Sequence, residues 1–193
     1  CVADMTPANG TLTEEQLLIA YKAIKNNGYK IKPIYLMRDP IERLWSQAKM
    51  NYFNKVIKKN IKNLDKSQLF DFFLNLSRQD YLLQDNIGRT RYDLIIPKIE
   101  KVLNQEKIFY YFSEDMRGET FKFELFKFLE IDQFFFPNKE NSGYPTDIKI
   151  STNEIPKDYF EQVLKIFKPV YLFVSNKFKE KTPKIWQRRI ENI

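Results

Sequence analysis

Two short apolar runs, each following a helical segment, constrain the fold of this sequence more than any other feature. The first comprises residues 34–37, and the second, strongly aromatic, comprises residues 108–112. Short runs that are too apolar for a surface loop are typical of buried strands. Because strands that alternate with helices form parallel sheets covered by helices, the sequence predicts a three-layer α/β domain with a central, mainly parallel sheet. Ligands of such domains bind at the carboxyl ends of the strands.

Helical patterns surround both runs. Thr13 and Gln16 are placed to form a capping box at the start of the first helix, and Gly28 closes that helix. After the first strand, Asp39 is placed to cap a second helix that begins at Pro40. The sequence predicts a polar loop over residues 138–153 and helices over residues 13–28, 40–58, 67–78, 90–103 with a disturbance at Pro97, 121–129, 156–168 and 169–178.

The composition is that of one globular domain. The chain has 193 residues, of which 43% are hydrophobic, and buries one substantial core. A formal charge of +7 favours an anionic ligand or a nucleic-acid surface. No apolar run reaches the roughly 18 to 20 residues that span a bilayer, so no membrane span is expected. The single cysteine, Cys1, excludes an internal disulfide framework and fits a reducing compartment, so we expect a cytoplasmic protein.

Histidine is absent from the sequence. This absence excludes Ser-His-Asp and Cys-His catalysis, and with a single cysteine it removes the usual ligands of zinc, so no metal is expected. Any general base must therefore be a carboxylate, a lysine or a tyrosine.

The turn after the first strand is the best candidate for a ligand site. Arg38 stands at the carboxyl end of that strand, just before a helix N-terminus whose free N–H groups and positive dipole favour an anion. Ser46 follows on the second turn of the helix, about 9 Å along the axis from Pro40. An arginine fork and a hydroxyl suit phosphate oxygens, so Arg38 and Ser46 are predicted to bind a phosphomonoester.

The sequence around this turn also resembles a known family. The stretch KIKPIYLMRDPIERLWSQAKMNYFNK is similar to the 3'-phosphate-binding strand and helix of sulfotransferases that use 3'-phosphoadenosine 5'-phosphosulfate. The family pattern is an apolar strand, Arg-Asp-Pro, an Arg and then a Ser, and it is matched by Arg38, Asp39, Pro40, Arg43 and Ser46. The resemblance implies the P-loop-like fold of that family, with the 3'-phosphate of the nucleotide between Arg38 and Ser46.

A second block resembles the same family farther along the chain. In NIGRTRYDLIIPKIEKVLNQEKIFYYFSEDMRGETFKFELFKFLEID, Thr90 and Tyr92 occupy the places of the Ser/Thr and Tyr that open a helix, which implies that they bind the nucleotide. Other matching residues are expected to cap and pack rather than to bind: Glu114, Asp115, Phe128, Leu129 and, in the closing FKPVYLFVSNKFKEKTPKIW, Trp186. The resemblance thus covers most of the chain in order.

Within the family, the sequence looks closest to the glycan-sulfating branch that includes heparan sulfate sulfotransferases. That branch carries a Glu-Lys-Ser/Thr-Pro segment whose carboxylate is the general base, and residues 3–8, Ala-Asp-Met-Thr-Pro-Ala, resemble it with Met5 in place of the Lys. The resemblance implies that Asp4 is the base. It also implies that the acceptor is a carbohydrate or another small hydroxylated molecule, with a hydroxyl or amine that takes the sulfuryl group, and that the product is adenosine 3',5'-bisphosphate.

Two loops of the family differ from this sequence. The Lys-x-Gly-x-Thr turn that binds the 5'-phosphosulfate does not occur in it, so we expect residues 1–193 to form a single sulfotransferase domain without its N-terminal strand and phosphosulfate-binding loop. Residues 138–145 resemble the Lys-Gly-Arg loop that also contacts the 3'-phosphate. Gly143 matches that loop, Ser142 stands in the place of the Lys, and Lys139 is expected to substitute as the cation.

Two other functions stay open on the sequence. The first alternative, suggested by the missing phosphosulfate loop, is an inactive nucleotide-binding relic. A pI of about 9.3 and the interleaved lysines and aromatics of residues 51–62 alternatively suggest a basic nucleic-acid-binding module. Against the second alternative, basic residues alternate with acids, and the sequence has no recognised nucleic-acid motif, so no nucleic-acid partner is expected.

Overall fold

Helices make up most of the structure, a computed structural model that describes residues 10–58, 65–82, 88–116, 118–132 and 150–191. In chain order the described elements are α1 (Glu14–Asn26), β1 (Ile34–Met37), α2 (Pro40–Lys58), α3 (Lys66–Leu82), α4 (Tyr92–Val102), β2 (Phe109–Phe112), α5 (Glu119–Leu129), α6 (Lys157–Phe178) and α7 (Lys184–Glu191). Within these ranges, no helix is long and apolar enough to cross a membrane.

The two strands form a parallel pair. Ile34 is opposite Phe109, and the register continues to Met37 opposite Phe112. The prediction of two parallel strands connected through helices is therefore confirmed. The described part of the chain holds this two-stranded sheet and not the larger central sheet of the predicted three-layer domain.

Helices cover both faces of the strand pair. On one face, Phe112 makes edge-on contacts with Phe178 of α6 and Trp186 of α7, at centroid distances of 5.6 and 5.3 Å. On the other face, Phe109 packs against Phe128 of α5 at 5.2 Å. Phe128 thus has the packing role expected from the sequence. Helix α5 covers β2 but leaves the β1 side chains on its face open, since Ile34 and Leu36 are 41% and 46% exposed.

One large hydrophobic cluster joins β1, β2 and helices α2, α3, α4, α6 and α7. Its bulkiest fully buried side chains are Trp45, Phe73, Tyr92, Phe167, Tyr171 and Trp186. A second, smaller cluster lies between α4 and α1, where Ile95 and Ile99 contact Leu17 and Tyr21. Because aromatic side chains bury large areas, the main cluster is the principal source of folding free energy among the described residues.

The start and end of α1 follow the sequence. The Thr13 hydroxyl accepts the Gln16 N–H at 3.2 Å, and the Gln16 side chain accepts the Thr13 N–H at 3.0 Å, so the predicted capping box is confirmed. Gly28, at φ +78°, ends the helix in the left-handed region that a side chain disfavours.

The predicted break between residues 168 and 169 is wrong. Helix α6 runs through Pro169, and α4 likewise runs through Pro97. A proline inside a helix removes one hydrogen bond, at a cost of about 3 kcal/mol. Both prolines are exposed, so water can reach the carbonyl that each leaves without a partner. The continuous buried face of α6, which includes Phe167 and Val170 on either side of Pro169, offsets the cost.

Candidate anion-binding site

The turns that follow the two strands lie at one edge of the sheet. The parallel register pairs Met37 with Phe112, so Arg38 and Ser113 leave the sheet side by side. Met37 is fully buried whereas Arg38 is exposed, so the chain passes from the core to the surface within one residue. This edge is the one at which the sequence predicts a ligand.

Asp39 fixes the start of α2 from inside the protein. Its side chain is fully buried, and Oδ1 accepts both the Glu42 N–H at 3.0 Å, which caps the helix, and the Tyr171 hydroxyl at 3.0 Å. Oδ2 faces Nε of Arg189 at 3.4 Å, an ion pair between the turn and α7. The buried carboxylate therefore has a helix N-terminus, a phenol and a guanidinium as partners, as a buried charge requires.

Glu114 ties the second turn to the first. Its Oε1 accepts the Asp39 N–H at 2.7 Å and the indole N–H of Trp186 at 3.3 Å. Trp186 is fully buried and stacks on Tyr92 with a centroid distance of 5.9 Å. Glu114 and Trp186, which the sequence analysis expected to be structural, thus connect the β2 turn, the Arg38 turn and α7.

The backbone of Arg38 is held by a buried tyrosine. The hydroxyl of Tyr92 accepts the Arg38 N–H at 3.2 Å and donates to the Arg38 carbonyl at 2.8 Å. Burial raises the pKa of Tyr92 to about 12, so the phenol keeps its proton at neutral pH. The guanidinium of Arg38 makes no hydrogen bond or ion pair with the described residues, so only the backbone of this residue is fixed.

Three polar side chains form an oblique row on α2, the helix that follows Arg38 in the chain. Arg43, Ser46 and Lys49 follow each other at intervals of three residues, so each is a neighbour of the next, while Arg43 and Lys49 lie on different sides of the helix. Ser46 is exposed, and Arg43 and Lys49 are partly buried. Neither Arg43 nor Lys49 forms an ion pair with a carboxylate of the described chain. The row presents two cations and a hydroxyl on the helix that follows the exposed Arg38.

Lys49 is held at the surface with donor capacity to spare. Its ammonium donates to the carbonyl of Ile150 at 3.0 Å and lies 5.7 Å from the ring centroid of Trp45. Burial lowers the pKa of Lys49, Glu42 and Glu154 raise it, and the positive charge of Arg38 lowers it further. The charge of Arg38 therefore acts on Lys49, although less than burial and Glu42 do.

The carboxylates near this row have partners of their own. Glu42 accepts from the Thr152 hydroxyl at 2.7 Å and pairs with Arg189 at 3.3 Å. Glu154 accepts the Ser151 N–H at 2.9 Å and pairs with Lys66 at 3.2 Å. These partners offset part of the negative charge of Glu42 and Glu154, which also acts on Lys49.

Thr90, predicted to bind the nucleotide, lies inside the protein away from the surface row. It is fully buried, and its hydroxyl donates to the Asp80 carboxylate. This contact joins the C-terminal part of α3 to the approach of α4. Its neighbour Arg91 strengthens the same junction, with a two-pronged ion pair to Asp93 at 2.9 Å and a hydrogen bond to the Tyr81 carbonyl at 2.7 Å.

The other predicted site residues lie outside the described residues: Asp4, Lys139, Ser142 and Gly143. The described chain resumes at Ile150, whose carbonyl accepts from both Trp45 and Lys49, at 3.2 and 3.0 Å. The segment that contains Lys139 and Gly143 therefore rejoins the described chain within one helical turn of Ser46.

Arg38 and Ser46 are exposed at the strand end and on the helix after it, and the charge of Arg38 acts on Lys49, which the sequence analysis did not single out. Its signal was present in the sequence, because Lys49 continues the three-residue spacing of Arg43 and Ser46. What the spacing does not reveal is that Lys49 forms no ion pair with a carboxylate in the part of the chain that the structure describes.

Comparisons of the chain with protein-family models, with curated proteins and with solved structures found no match. In the described ranges, no group of three or more carboxylate, thiol or imidazole side chains is arranged to hold a metal ion.

Proposed function

We propose that the protein is a sulfotransferase that uses 3'-phosphoadenosine 5'-phosphosulfate and binds the 3'-phosphate of this nucleotide at Arg38, Ser46 and Lys49. The observation that carries the proposal is the set of donors at the carboxyl end of β1: an exposed guanidinium, an exposed hydroxyl and an ammonium, with no carboxylate paired to either cation in the described chain. The assignment to sulfotransferases rests on the resemblance of the surrounding motif.

The donor set suits a phosphomonoester. A guanidinium presents a planar fork to two phosphate oxygens, and a hydroxyl and an ammonium can reach the third. The N-terminus of α2 adds only its positive dipole end, because Pro40 has no N–H and the Glu42 N–H is bonded to Asp39. A dianionic phosphate would also relieve the repulsion between Arg38 and Lys49.

The sheet and the remaining site residues fit the same proposal. The outer edge of β1 has no strand beside it among the described residues, and the exposed Ile34 and Leu36 support a sheet that extends past β1 into a three-layer domain. Such a strand would bring the phosphosulfate-binding loop to the edge where Arg38 lies. The position of Ile150 supports a contribution of Lys139, Ser142 and Gly143 to the same anion site.

Catalysis needs a base besides the phosphate contacts. Bound 3'-phosphoadenosine 5'-phosphosulfate supplies the sulfuryl group, and we assign to Asp4 the removal of the proton from the acceptor hydroxyl or amine. A carbohydrate acceptor and a cytoplasmic location are parts of the same proposal, which extends the sequence resemblance to the glycan-sulfating branch.

Nucleotide binding by the full chain tests the proposal. Calorimetry should show that adenosine 3',5'-bisphosphate binds more tightly than AMP, because only the bisphosphate fills the Arg38 site. Arg38→Ala should weaken bisphosphate binding by about 2 to 4 kcal/mol, and Ser46→Ala by about 1 kcal/mol, as charged and neutral hydrogen bonds to phosphate predict. Arg78→Ala is the control, since Arg78 is an exposed arginine of α3 that donates to Gln162.

The result separates the alternative functions. Equal affinities for AMP and the bisphosphate, or an Arg38→Ala variant as tight as Arg78→Ala, would refute the assignment of the site. Selective bisphosphate binding without transfer of a sulfuryl group to any glycan would identify an inactive nucleotide-binding protein. Oligonucleotide binding that weakens steeply with salt, without nucleotide selectivity, would identify a nucleic-acid-binding module.

A further inference from the structure

Both backbone polar groups of Arg38, at the end of β1, have the same side chain as their partner. Both backbone polar groups of Arg38 bond to the Tyr92 hydroxyl, at 3.2 Å for the N–H and 2.8 Å for the carbonyl. Without such a partner, the backbone N–H and carbonyl at the end of a short strand form hydrogen bonds with water or with neighbouring groups. Here a single phenol satisfies both, and together with the contacts of Asp39 and Glu114 in the same turn it fixes the direction in which the Arg38 side chain leaves the sheet.

Tyr92 itself has no freedom to move. It is 2% exposed, its ring stacks on Trp186 with an interplanar angle of 25°, and it meets the edge of Tyr35 at a centroid distance of 6.2 Å. Trp186 is in turn fixed by its N–H bond to Glu114. The phenol is therefore a rigid support within the core and does not reach the surface that an incoming nucleotide would touch.

We infer that Tyr92 is a positioning residue of the anion site, which aims the Arg38 guanidinium through the Arg38 backbone and does not contact the nucleotide itself. The inference rests on the proposed function of the Arg38 site and changes the role that the family resemblance implied for Tyr92. Removing the hydroxyl frees the Arg38 N–H and carbonyl to find other partners. The backbone that carries the guanidinium is then no longer held in place, so binding of the nucleotide must also order Arg38, and the lost conformational entropy weakens the affinity.

The test is Tyr92→Phe in the full chain, because phenylalanine keeps the ring that stacks on Trp186 and removes only the hydroxyl. Affinity for adenosine 3',5'-bisphosphate should fall about 5- to 10-fold, as expected for the loss of one well-placed hydrogen-bonding group. Affinity for AMP should stay the same, so the preference for the bisphosphate should fall by the same factor. Tyr110→Phe is the matched control, since Tyr110 lies on β2 and its hydroxyl donates to Glu100 of α4 rather than to Arg38.

A double-mutant cycle with Arg38→Ala distinguishes positioning from a general loss of structure. If Tyr92 acts through Arg38, then Tyr92→Phe has no further effect on bisphosphate affinity once the guanidinium has gone. Hydrogen exchange supplies a second readout: the Arg38 amide should exchange faster in Tyr92→Phe, whereas the Met37 amide should not.

The outcomes of this experiment are distinct. Additive effects in the cycle, equal losses for AMP and the bisphosphate, or an unchanged Arg38 amide would overturn the inference and leave the proposed function intact. If the wild-type chain does not prefer the bisphosphate to AMP, the proposed function fails and the inference fails with it. Non-additivity together with a selective loss for the bisphosphate supports both.

Discussion

Replacing Asp39 tests whether the buried carboxylate supports the turn as the structure indicates. Asp39→Ala removes the cap of α2, an acceptor of the Tyr171 hydroxyl and the buried partner of Arg189 in one step. Asp39→Asn removes only the charge, because an amide oxygen also caps a helix and accepts a phenol. The two variants therefore separate the hydrogen bonds of the turn from its ion pair.

The magnitude follows from the partners that each variant leaves behind. A lost cap costs about 1 kcal/mol, and a buried phenol without an acceptor costs about 1 to 3 kcal/mol. Arg189 adds less, because it is 15% exposed and keeps both Glu42 at 3.3 Å and the face of Phe160 at 4.7 Å. Asp39→Ala should thus lower the free energy of unfolding by about 3 to 4 kcal/mol, and Asp39→Asn by about 1 kcal/mol.

Urea unfolding followed by tryptophan fluorescence and circular dichroism measures both values, provided that the m-value stays constant. Asp71→Ala is the control, because the Asp71 carboxylate also accepts a tyrosine hydroxyl, that of Tyr159 at 2.6 Å, but on the surface. Its effect should stay below about 1 kcal/mol. If Asp39→Ala and Asp71→Ala unfold at the same urea concentration, the buried network does not support the fold as argued.

Two further predictions concern catalysis and pH. Asp4→Asn should lower the rate of sulfuryl transfer by about 10²- to 10⁴-fold, as expected for the loss of a general base, while the affinity for the bisphosphate in calorimetry stays unchanged. A single-turnover rate within about threefold of wild type would exclude this role. Lys30 and Lys32 lower the pKa of Glu130 from 4.5 to about 2. The ionised carboxylate of Glu130 therefore stabilises the folded state fully above about pH 5, and this contribution is lost as the pH falls towards 2. Urea unfolding at several pH values should show that the free energy of unfolding of wild type exceeds that of Glu130→Gln at pH 5 and that this excess disappears towards pH 2. An excess that does not depend on pH would contradict the pairing of Glu130 with the two lysines.

Local patterns predicted the elements that local interactions determine. The capping box of Thr13 and Gln16, the strand of residues 34–37 and the start of α2 at Pro40 each depend on residues a few positions apart. The contacts that support Arg38 do not: Asp39 meets Tyr171 and Arg189 across separations of 132 and 150 residues. No period or turn signal encodes such pairs, so the sequence indicated the site but not its buried support.

Helix α6 shows a second limit of local reading. Pro169 is a strong signal for a helix end, yet the apolar face that includes Phe167 and Val170 continues past it. Packing of this face against the core offsets the tendency of Pro169 to end the helix. How much of the face is buried depends on the tertiary structure, which local patterns do not show. Helix α7 was not predicted either, because it is only eight residues long and Trp186 is its one buried side chain.

The dependence of the Arg38 turn on α7 has a consequence for how the protein is made. A chain emerging from the ribosome presents β1 and α2 long before Trp186 and Arg189 exist, so Glu114 and Asp39 must wait for their partners. Contacts at such separations form late, because loop-closure entropy opposes them until the intervening helices have packed. The Arg38 turn therefore acquires its full set of contacts only after α7 has been synthesised, and nascent chains that stop short of α7 carry the motif without those contacts.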